Sequence, residues 1–312
     1  MTKPEIVMLC GGGYTARINL SRGANCISLR HSATGARILR EPPDPMRLDN
    51  PYLYGMPLLF PVNRISGGRF VFAGREYVFP VNEPNTGCHL HGTLHETPFA
   101  VTARSGDSLT AEYTADAAHP YLSFPHAFTL RLSYRLEADG LHLKTALTNR
   151  SDTDMPYFLG FHTTFSLAMT PKTNAKTVLA KAELSREIER DMTTYLPTGR
   201  VPEFDAVSAA LAAGTWHPAS GAVSRHYRAG GGGLLTLTDP ENGLRTVYRN
   251  DTAFGYRLIY GDGKAFLCME PQTCMANAAN APFVREETGF AFLRPNETKQ
   301  FHSQIGLEEI GT

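Results

Sequence analysis

Hydrophobic and polar residues alternate with a period of two in many short stretches along the chain. The clearest stretch covers residues 126–136, in which every second residue from Phe128 to Tyr134 is apolar and the residues between them are polar. A turn at 137–140 separates it from a second alternating stretch at 141–149. Because successive side chains of a strand point to opposite faces, the two stretches predict a β-hairpin with one buried face.

A second hairpin is predicted within residues 63–95. Phe70 and Phe72 are spaced by two before a turn at Gly74, and the aromatic spacing resumes at Tyr77. Glycine adopts the positive φ that tight β connections need, so its position supports the turn. A loop and a histidine-bearing segment follow, and the stretch therefore gathers a cation and imidazoles beside ordinary β structure.

Strand-length runs set off by turn residues occupy most of the remaining chain. They lie at residues 14–30 (two runs), 97–104, 108–115, 234–239, 246–250, 256–260, 265–270 and 299–309. Residues 206–213 predict a short helix, 175–192 fit a helix and a strand equally well, and the Pro-rich residues 41–61 predict an irregular excursion. Many short strands and few helices predict an all-β fold, a large antiparallel β-sandwich. No break in composition divides the chain, so we expect one domain over residues 1–312.

The composition narrows the choice of partners. Lysine plus arginine and aspartate plus glutamate each number 30 in the 312 residues, a balance that predicts neither a nucleic acid nor a membrane surface as partner. The five cysteines are scattered without a CxxC pair, which is typical of free thiols in a reducing compartment. The N-terminus shows no basic-then-apolar leader, and no stretch approaches the ~20 apolar residues of a membrane span. We therefore expect a cytoplasmic protein that acts on a small molecule, with its oligomeric state open.

Two ionisable residues within apolar stretches are the first candidates for acid–base chemistry. His162 lies in the apolar and aromatic residues 155–167, and Glu270 ends the apolar strand at 265–270. Imidazole titrates near neutral pH, and a buried carboxylate must be hydrogen-bonded, paired or protonated. The structural interpretations are a core histidine and a strand-end ion pair. The functional interpretation is a general acid at His162 opposite a general base at Glu270.

Three further residues raise the question of a metal site. His89 and His91 share a face if their segment is an extended strand, and with Glu96 they match the first metal motif of cupins. The second half of that motif has no match downstream, so a cupin-like metalloenzyme is the weaker alternative. We predict no metal and no other cofactor, and a histidine that hydrogen-bonds a small-molecule ligand fits better. Arg64 has two interpretations, a solvated surface residue and a fork of donors to ligand oxygens.

Together with these residues, five motifs give the chain a resemblance to the aldose 1-epimerase (galactose mutarotase) family over most of its length. They are Asn63-Arg64-Ile65 with its hairpin, Leu90-His91-Gly92, Gly160-x-His162 with Phe165-x-Leu167, Leu196-Pro197-Thr198-Gly199, and Glu270-Pro271-Gln272. Each motif is short, and their occurrence in the family's order and spacing makes the resemblance specific.

The resemblance implies a large β-sandwich of the galactose mutarotase type and cofactor-free interconversion of the α and β anomers of an aldose. Glu270 would take the proton of the C1 hydroxyl as general base, and His162 would protonate the ring oxygen as general acid. The ring opens, the C1–C2 bond rotates, and the ring closes from its other face. The sugar-binding positions implied by the resemblance are Asn63, Arg64, His91 and Gln272.

One departure from the family pattern concerns the substrate. The family usually carries a substrate-binding aspartate ahead of the Gly-rich residues 230–233, whereas residues 224–227 here are Ser-Arg-His-Tyr. The identity of the sugar therefore stays open, as does whether Arg225 or His226 enters the pocket, and an arginine there would favour an anionic sugar. A sugar-binding β-sandwich without catalytic turnover is the alternative from a different class.

Overall fold

The computed structural model of the chain describes residues 5–44 and 50–311. Part of the Pro-rich stretch predicted to be irregular, residues 45–49, lies outside the described residues. The first half of the chain contains the strands β1 Ile6–Gly11, β2 Tyr14–Asn19, β3 Asn25–His31, β4 Leu58–Leu59, β5 Arg64–Ser66, β6 Arg69–Phe72, β7 Arg75–Val78, β8 Cys88–Leu90, β9 Ala100–Arg104, β10 Ser108–Ala115, β11 Phe128–Glu137 and β12 Gly140–Asn149.

The second half contains further strands and the helix α1. These elements are β13 Met155–Tyr157, β14 Gly160–Phe161, β15 Thr164–Ser166, β16 Leu179–Ala182, β17 Leu184–Ile188, α1 Ala206–Ala213, β18 Val223–Ala229, β19 Leu234–Asp239, β20 Leu244–Asn250, β21 Tyr256–Gly261, β22 Phe266–Gln272, β23 Ala291–Leu293 and β24 Thr298–Glu309. Short 3-10 helices lie at Pro51–Leu53, Leu94–Glu96, Pro218–Ser220 and Arg285–Glu287. In the described part of the chain, no helix is long and apolar enough to cross a bilayer.

Two large antiparallel sheets form the body of the molecule. The eight-stranded sheet has the order β16-β19-β20-β24-β12-β11-β10-β9. The seven-stranded sheet has the order β17-β18-β21-β22-β14-β4, and β15 also pairs with β22. Tyr248 of the first sheet packs on Phe165 of the second, with 5.6 Å between ring centroids, and its hydroxyl lies 3.0 Å from that of Thr163. These contacts join the sheets into a sandwich, and the predicted fold class is confirmed.

Both predicted hairpins form. β11 and β12 pair from Phe128 opposite Asn149 to Glu137 opposite Gly140, with the alternate residues of β11 buried. In the second hairpin β6 pairs with β7, and Phe70 stacks on Tyr77 with 4.6 Å between ring centroids. The adjoining pair β5–β8 carries the histidine-bearing segment to the edge of the cavity described below.

The helix and the ambiguous segment also have clear outcomes. α1 covers the residues predicted for it, because the Asp205 side chain accepts a hydrogen bond from the Ser208 amide at its start and Gly214 closes it at φ 86°. The ambiguous stretch 175–192 forms β16 and β17. β1 at Ile6–Gly11 was missed by the sequence analysis.

Candidate active site

A cavity of about 340 Å³ lies against the seven-stranded sheet. Five of the six predicted site residues line it, and the sixth, Gln272, lies behind Glu270. The five lining residues are Asn63, Arg64, His91, His162 and Glu270. Arg64 and Glu270 lie on β5 and β22, and the other three lie in connections beside β5, β8 and β14, so distant parts of the sequence meet here.

Glu270 lies on β22 and is completely buried. Its Oε2 accepts a hydrogen bond from the side-chain amide of Gln272 at 3.2 Å, since residues two apart on a strand share a face. Its Oε1 has no hydrogen-bond partner within the described chain. Burial raises the pKa of this carboxyl to about 8, against the opposing influence of Gln272, Arg190 and Arg64. Oε1 is therefore a buried carboxyl oxygen with an unused acceptor position, on a residue that lines the cavity.

His162 lies between β14 and β15 with its backbone amide bonded to the Pro57 carbonyl. Its Nε2 is 3.1 Å from Oε1 of Glu270, although the two atoms are not aligned as a hydrogen bond. Burial lowers the pKa of the imidazole to about 3. Both shifts disfavour charge, so the pair as a whole carries one dissociable proton and no net charge near neutral pH.

Asn63 connects the acid–base pair to His91. The Asn63 amide N–H donates to Nδ1 of His91 at 3.2 Å, so the neutral imidazole carries its proton on Nε2 and can donate there. The Asn63 side chain donates to Oε1 of Gln272 at 3.0 Å, and Gln272 in turn donates to Glu270. Burial lowers the pKa of His91 well below its ordinary value, with a smaller contribution from His162. A continuous set of hydrogen bonds therefore orients Glu270 and selects the His91 tautomer.

Arg64 differs from the expectation of a free fork of donors. Its Nε and Nη2 already bind the two carboxylate oxygens of Glu83 at 2.6 and 2.7 Å, and the Thr86 hydroxyl supports one of those oxygens. The guanidinium carbon lies 4.6 Å from the ring centroid of Tyr195. Arg64 thus lines the cavity as half of an ion pair whose geometry is fixed before any ligand arrives.

Arg190 and Ser224 line the same cavity and were not predicted as site residues. The Arg190 side chain is buried, and its Nη2 donates to the Ser224 hydroxyl at 2.9 Å. Burial lowers its pKa to about 10. The backbone of Arg190 forms an isolated antiparallel β-bridge with Pro197 of the Leu196–Gly199 motif. This motif was the only sequence signal that could have pointed to Arg190 as a site residue.

The open question about β18 now has an answer. Arg225 points away from Ser224 and binds Glu187 at 3.1 Å and the helix-capping Asp205 at 2.6 Å. His226 is buried, and neither of its ring nitrogens has a hydrogen-bond partner in the described chain. Neither residue lines the cavity of Glu270. Both line an adjoining cavity of about 730 Å³, which shares Arg190 and Ser224 with the smaller one.

The cupin-like metal ligands do not come together. His91 has a φ of +61°, which breaks the strand alternation, so the two histidines do not share a face as an extended segment would require. His89 instead donates from Nδ1 to the Pro80 carbonyl at 2.7 Å. Glu96 is exposed and lies 3.7 Å from Arg22. The cupin-like alternative therefore has no support in this geometry.

Two other groups in the described residues bring candidate ligand atoms within 4.8 Å of one another. One adds Cys268 to the acid–base pair, His162 and Glu270. Burial raises the pKa of the Cys268 thiol well above its ordinary value, and a thiol is a poor ligand compared with a thiolate. The other is an open surface group of Glu137, Asp139 and His142, in which the imidazole already binds Asp139.

The fold and the cavity define a class: an antiparallel β-sandwich with a buried carboxyl–imidazole pair in a polar pocket. The family model for aldose 1-epimerase matches residues 5–306. YphB, an uncharacterized protein of Escherichia coli (strain K12), is 30% identical over 262 residues, which cover 81% of this chain and 83% of YphB. The chain belongs to the aldose 1-epimerase family, and the resemblance noted in the sequence is confirmed.

Solved structures agree with this assignment. A galactose mutarotase-like protein from Clostridium acetobutylicum superposes with a TM-score of 0.92 at 26% identity, over 99% of this chain and 96% of the other. A galactose 1-epimerase from Lactobacillus acidophilus NCFM superposes with a TM-score of 0.72 at 14% identity, over all of both chains. At that lower identity the likeness concerns the fold alone.

Proposed function

We propose that this protein is an isomerase that interconverts the α and β anomers of an aldose. The observation that carries the proposal is the 3.1 Å separation of Glu270 Oε1 and His162 Nε2 in a polar cavity. The two oxygens that must exchange protons, the C1 hydroxyl and the ring oxygen, are both bonded to C1. Two neighbouring side chains can therefore serve both oxygens of one bound sugar.

The proton balance of the pair suits a reversible ring opening. In the reactive form Glu270 is ionised and His162 is protonated. Glu270 accepts the proton of the C1 hydroxyl while His162 donates its proton to the ring oxygen, and the bond from C1 to that oxygen breaks. The pair then holds its proton on Glu270 beside a neutral imidazole, which is the arrangement that burial favours. Rotation about C1–C2 and the reverse transfers give the other anomer.

The remaining predicted residues support this chemistry by position. His91 presents an Nε2–H donor, and Gln272 stabilises the ionised form of Glu270 through its amide. No transfer in this scheme requires a cofactor, because each proton moves between a side chain and a sugar oxygen. Four of the five free cysteines are buried, consistent with our expectation of a reducing, cytoplasmic compartment.

Polarimetry on freshly dissolved α-anomers tests the proposal. Wild-type protein should accelerate the approach to anomeric equilibrium of at least one aldose, and Glu270→Gln should not. Saturable binding of a sugar without acceleration would instead assign the protein to the alternative class, a sugar-binding sandwich without turnover.

A further inference from the structure

Arg190 differs from the other arginines around the site in having no carboxylate partner. Arg64 binds Glu83, and Arg225 binds Glu187 and Asp205. Within residues 5–44 and 50–311, no carboxylate oxygen lies within 4.0 Å of the Arg190 guanidinium, whose hydrogen bond goes to the uncharged Ser224 hydroxyl. Arg190 is only 7% exposed, and burying an unpaired charge is costly.

A second buried arginine, Arg257, also has no carboxylate partner among the described residues, but it lies away from the site. Arg257 is 1% exposed; its Nη1 donates to the backbone carbonyls of Phe254 and Tyr256, and its Nε and Nη2 have no hydrogen-bond partner in the described chain. It lines neither the cavity of Glu270 nor the adjoining one. Arg190 has no such carbonyl partners among the described residues and faces both cavities. The two arginines therefore differ in access to the cavities, and only the Arg190 guanidinium is placed where a bound ligand can contact it.

The cavity as a whole has one uncompensated charge among its described lining residues. Arg64 and Glu83 neutralise each other, and the His162–Glu270 pair is neutral wherever its proton resides. His91 is a neutral donor. The positive charge of Arg190 therefore remains, beside a hydroxyl on Ser224 that accepts from Arg190 and has its own proton to donate.

We propose that the substrate is an aldose carrying an anionic group, a carboxylate or a phosphate, which binds Arg190 and Ser224 while C1 lies at Glu270 and His162. A guanidinium and a hydroxyl suit such an anion because both donate to its oxygens. The adjoining cavity of about 730 Å³ shares Arg190 and Ser224 and gives room for a bulky substituent. The claim that this anionic aldose is a substrate rests on the proposed function. The anion-binding site itself can be tested by binding alone, without catalysis.

The test is equilibrium binding measured by calorimetry on the wild-type protein, with sugars already at anomeric equilibrium so that catalysis adds no heat. The probes are glucuronate, galacturonate and glucose 6-phosphate, compared with glucose and galactose. We expect at least one anionic sugar to bind roughly 10- to 100-fold more tightly than its neutral parent. Arg190→Gln should remove most of that preference and leave the affinity for the neutral sugars nearly unchanged.

Two further variants keep the test decisive if Arg190→Gln fails to fold. Ser224→Asp retains Arg190 and gives it a carboxylate partner, so the ratio of the affinity for an anionic sugar to that for its neutral parent should fall to about one, whatever the change in absolute affinity. Arg249→Gln is the matched charge control, because this half-exposed arginine lies on β20 beside Glu308 and lines neither cavity. It should keep the full preference for anions.

Several results would overturn the inference. Equal affinities for every anionic sugar and its neutral parent would do so directly. So would an Arg190→Gln variant that loses neutral and anionic sugars alike and shifts the pH–rate profile, since Arg190 would then act through Glu270. Anion-selective binding without acceleration of any sugar would refute the substrate claim and the proposed function together. Catalysis of neutral sugars without anion preference would refute this inference alone.

Discussion

The floor of the cavity and its arginine wall handle charge in opposite ways. The floor, His162 and Glu270 with Gln272 behind them, is buried and can hold its proton in either of two places without net charge. The wall, Arg64 and Arg190 with Ser224, consists of fixed donors. Arg64 is paired with a carboxylate, and Arg190 is not. The difference suggests that the floor performs the proton transfers and the wall selects the substrate. Changes to the floor should therefore reduce turnover, and changes to the wall should alter binding.

The largest expected effect comes from removing a member of the floor. Glu270→Gln and His162→Asn should each reduce kcat for mutarotation by roughly 10²- to 10⁴-fold, because each deletes one positioned proton-transfer group. Polarimetry at saturating sugar measures the loss, and circular dichroism checks that the fold is retained. Turnover close to that of wild type in either folded variant would remove that residue from the mechanism.

A smaller effect is expected from Gln272→Met, which removes the amide that stabilises ionised Glu270. The pKa of Glu270 should rise further, so the pH–rate profile should move to higher pH and the rate at pH 7 should fall roughly 3- to 10-fold. Gln304→Met, on the eight-stranded sheet, is the matched control and should leave the profile in place. An unshifted profile in Gln272→Met would show that the amide does not tune Glu270.

The wall should respond differently. Glu83→Gln removes the charged partner that holds the Arg64 guanidinium in place. Because Arg64 is then less well positioned for the sugar, we expect KM to rise roughly 3- to 10-fold with kcat nearly unchanged. Glu112→Gln breaks a comparable surface pair with Arg131 and should leave both constants as they are. A fall in kcat at constant KM in Glu83→Gln would show that Arg64 supports the proton transfers and not the binding of substrate.

The smallest expected effect concerns stability. The pKa of Glu270 rises from an ordinary 4.5 to about 8 on folding, so between these values the unfolded chain is ionised and the folded protein keeps the proton. This carboxyl therefore makes the wild type less stable as pH rises through that window. Glu270→Gln lacks this dependence, and relative to wild type it should gain at least about 1 kcal/mol in unfolding free energy between pH 5 and pH 8. Urea titrations at the two pH values measure it, and an unchanged difference would contradict the raised pKa.

Much of the fold was predictable because alternation follows burial directly. The hairpin β11–β12 has one buried face and one polar face, so its register could be inferred from sequence. β1 was missed because its outward side chains include the apolar Met8, which is 59% exposed and masks the alternation with buried Val7 and Leu9.

The acid–base pair was predictable and its surroundings were not. Glu270 and His162 stood out as ionisable residues in apolar stretches, which is a local signal. The partner of Arg64 is Glu83, nineteen residues away, and the positive φ of His91 has no local signature. Arg190 lies in a segment whose sequence fitted helix and strand equally, so its burial became visible only with the tertiary contacts.

Anomer exchange at equilibrium, followed by NMR magnetisation transfer between the two H1 signals of one sugar, tests the central claim most directly. It applies equally to neutral and charged aldoses and needs no freshly dissolved anomer. The account predicts that wild-type protein speeds exchange of a sugar that it binds, whereas Glu270→Gln binds that sugar without speeding exchange. A sugar bound by the wild type whose exchange stays at the uncatalysed rate would contradict it.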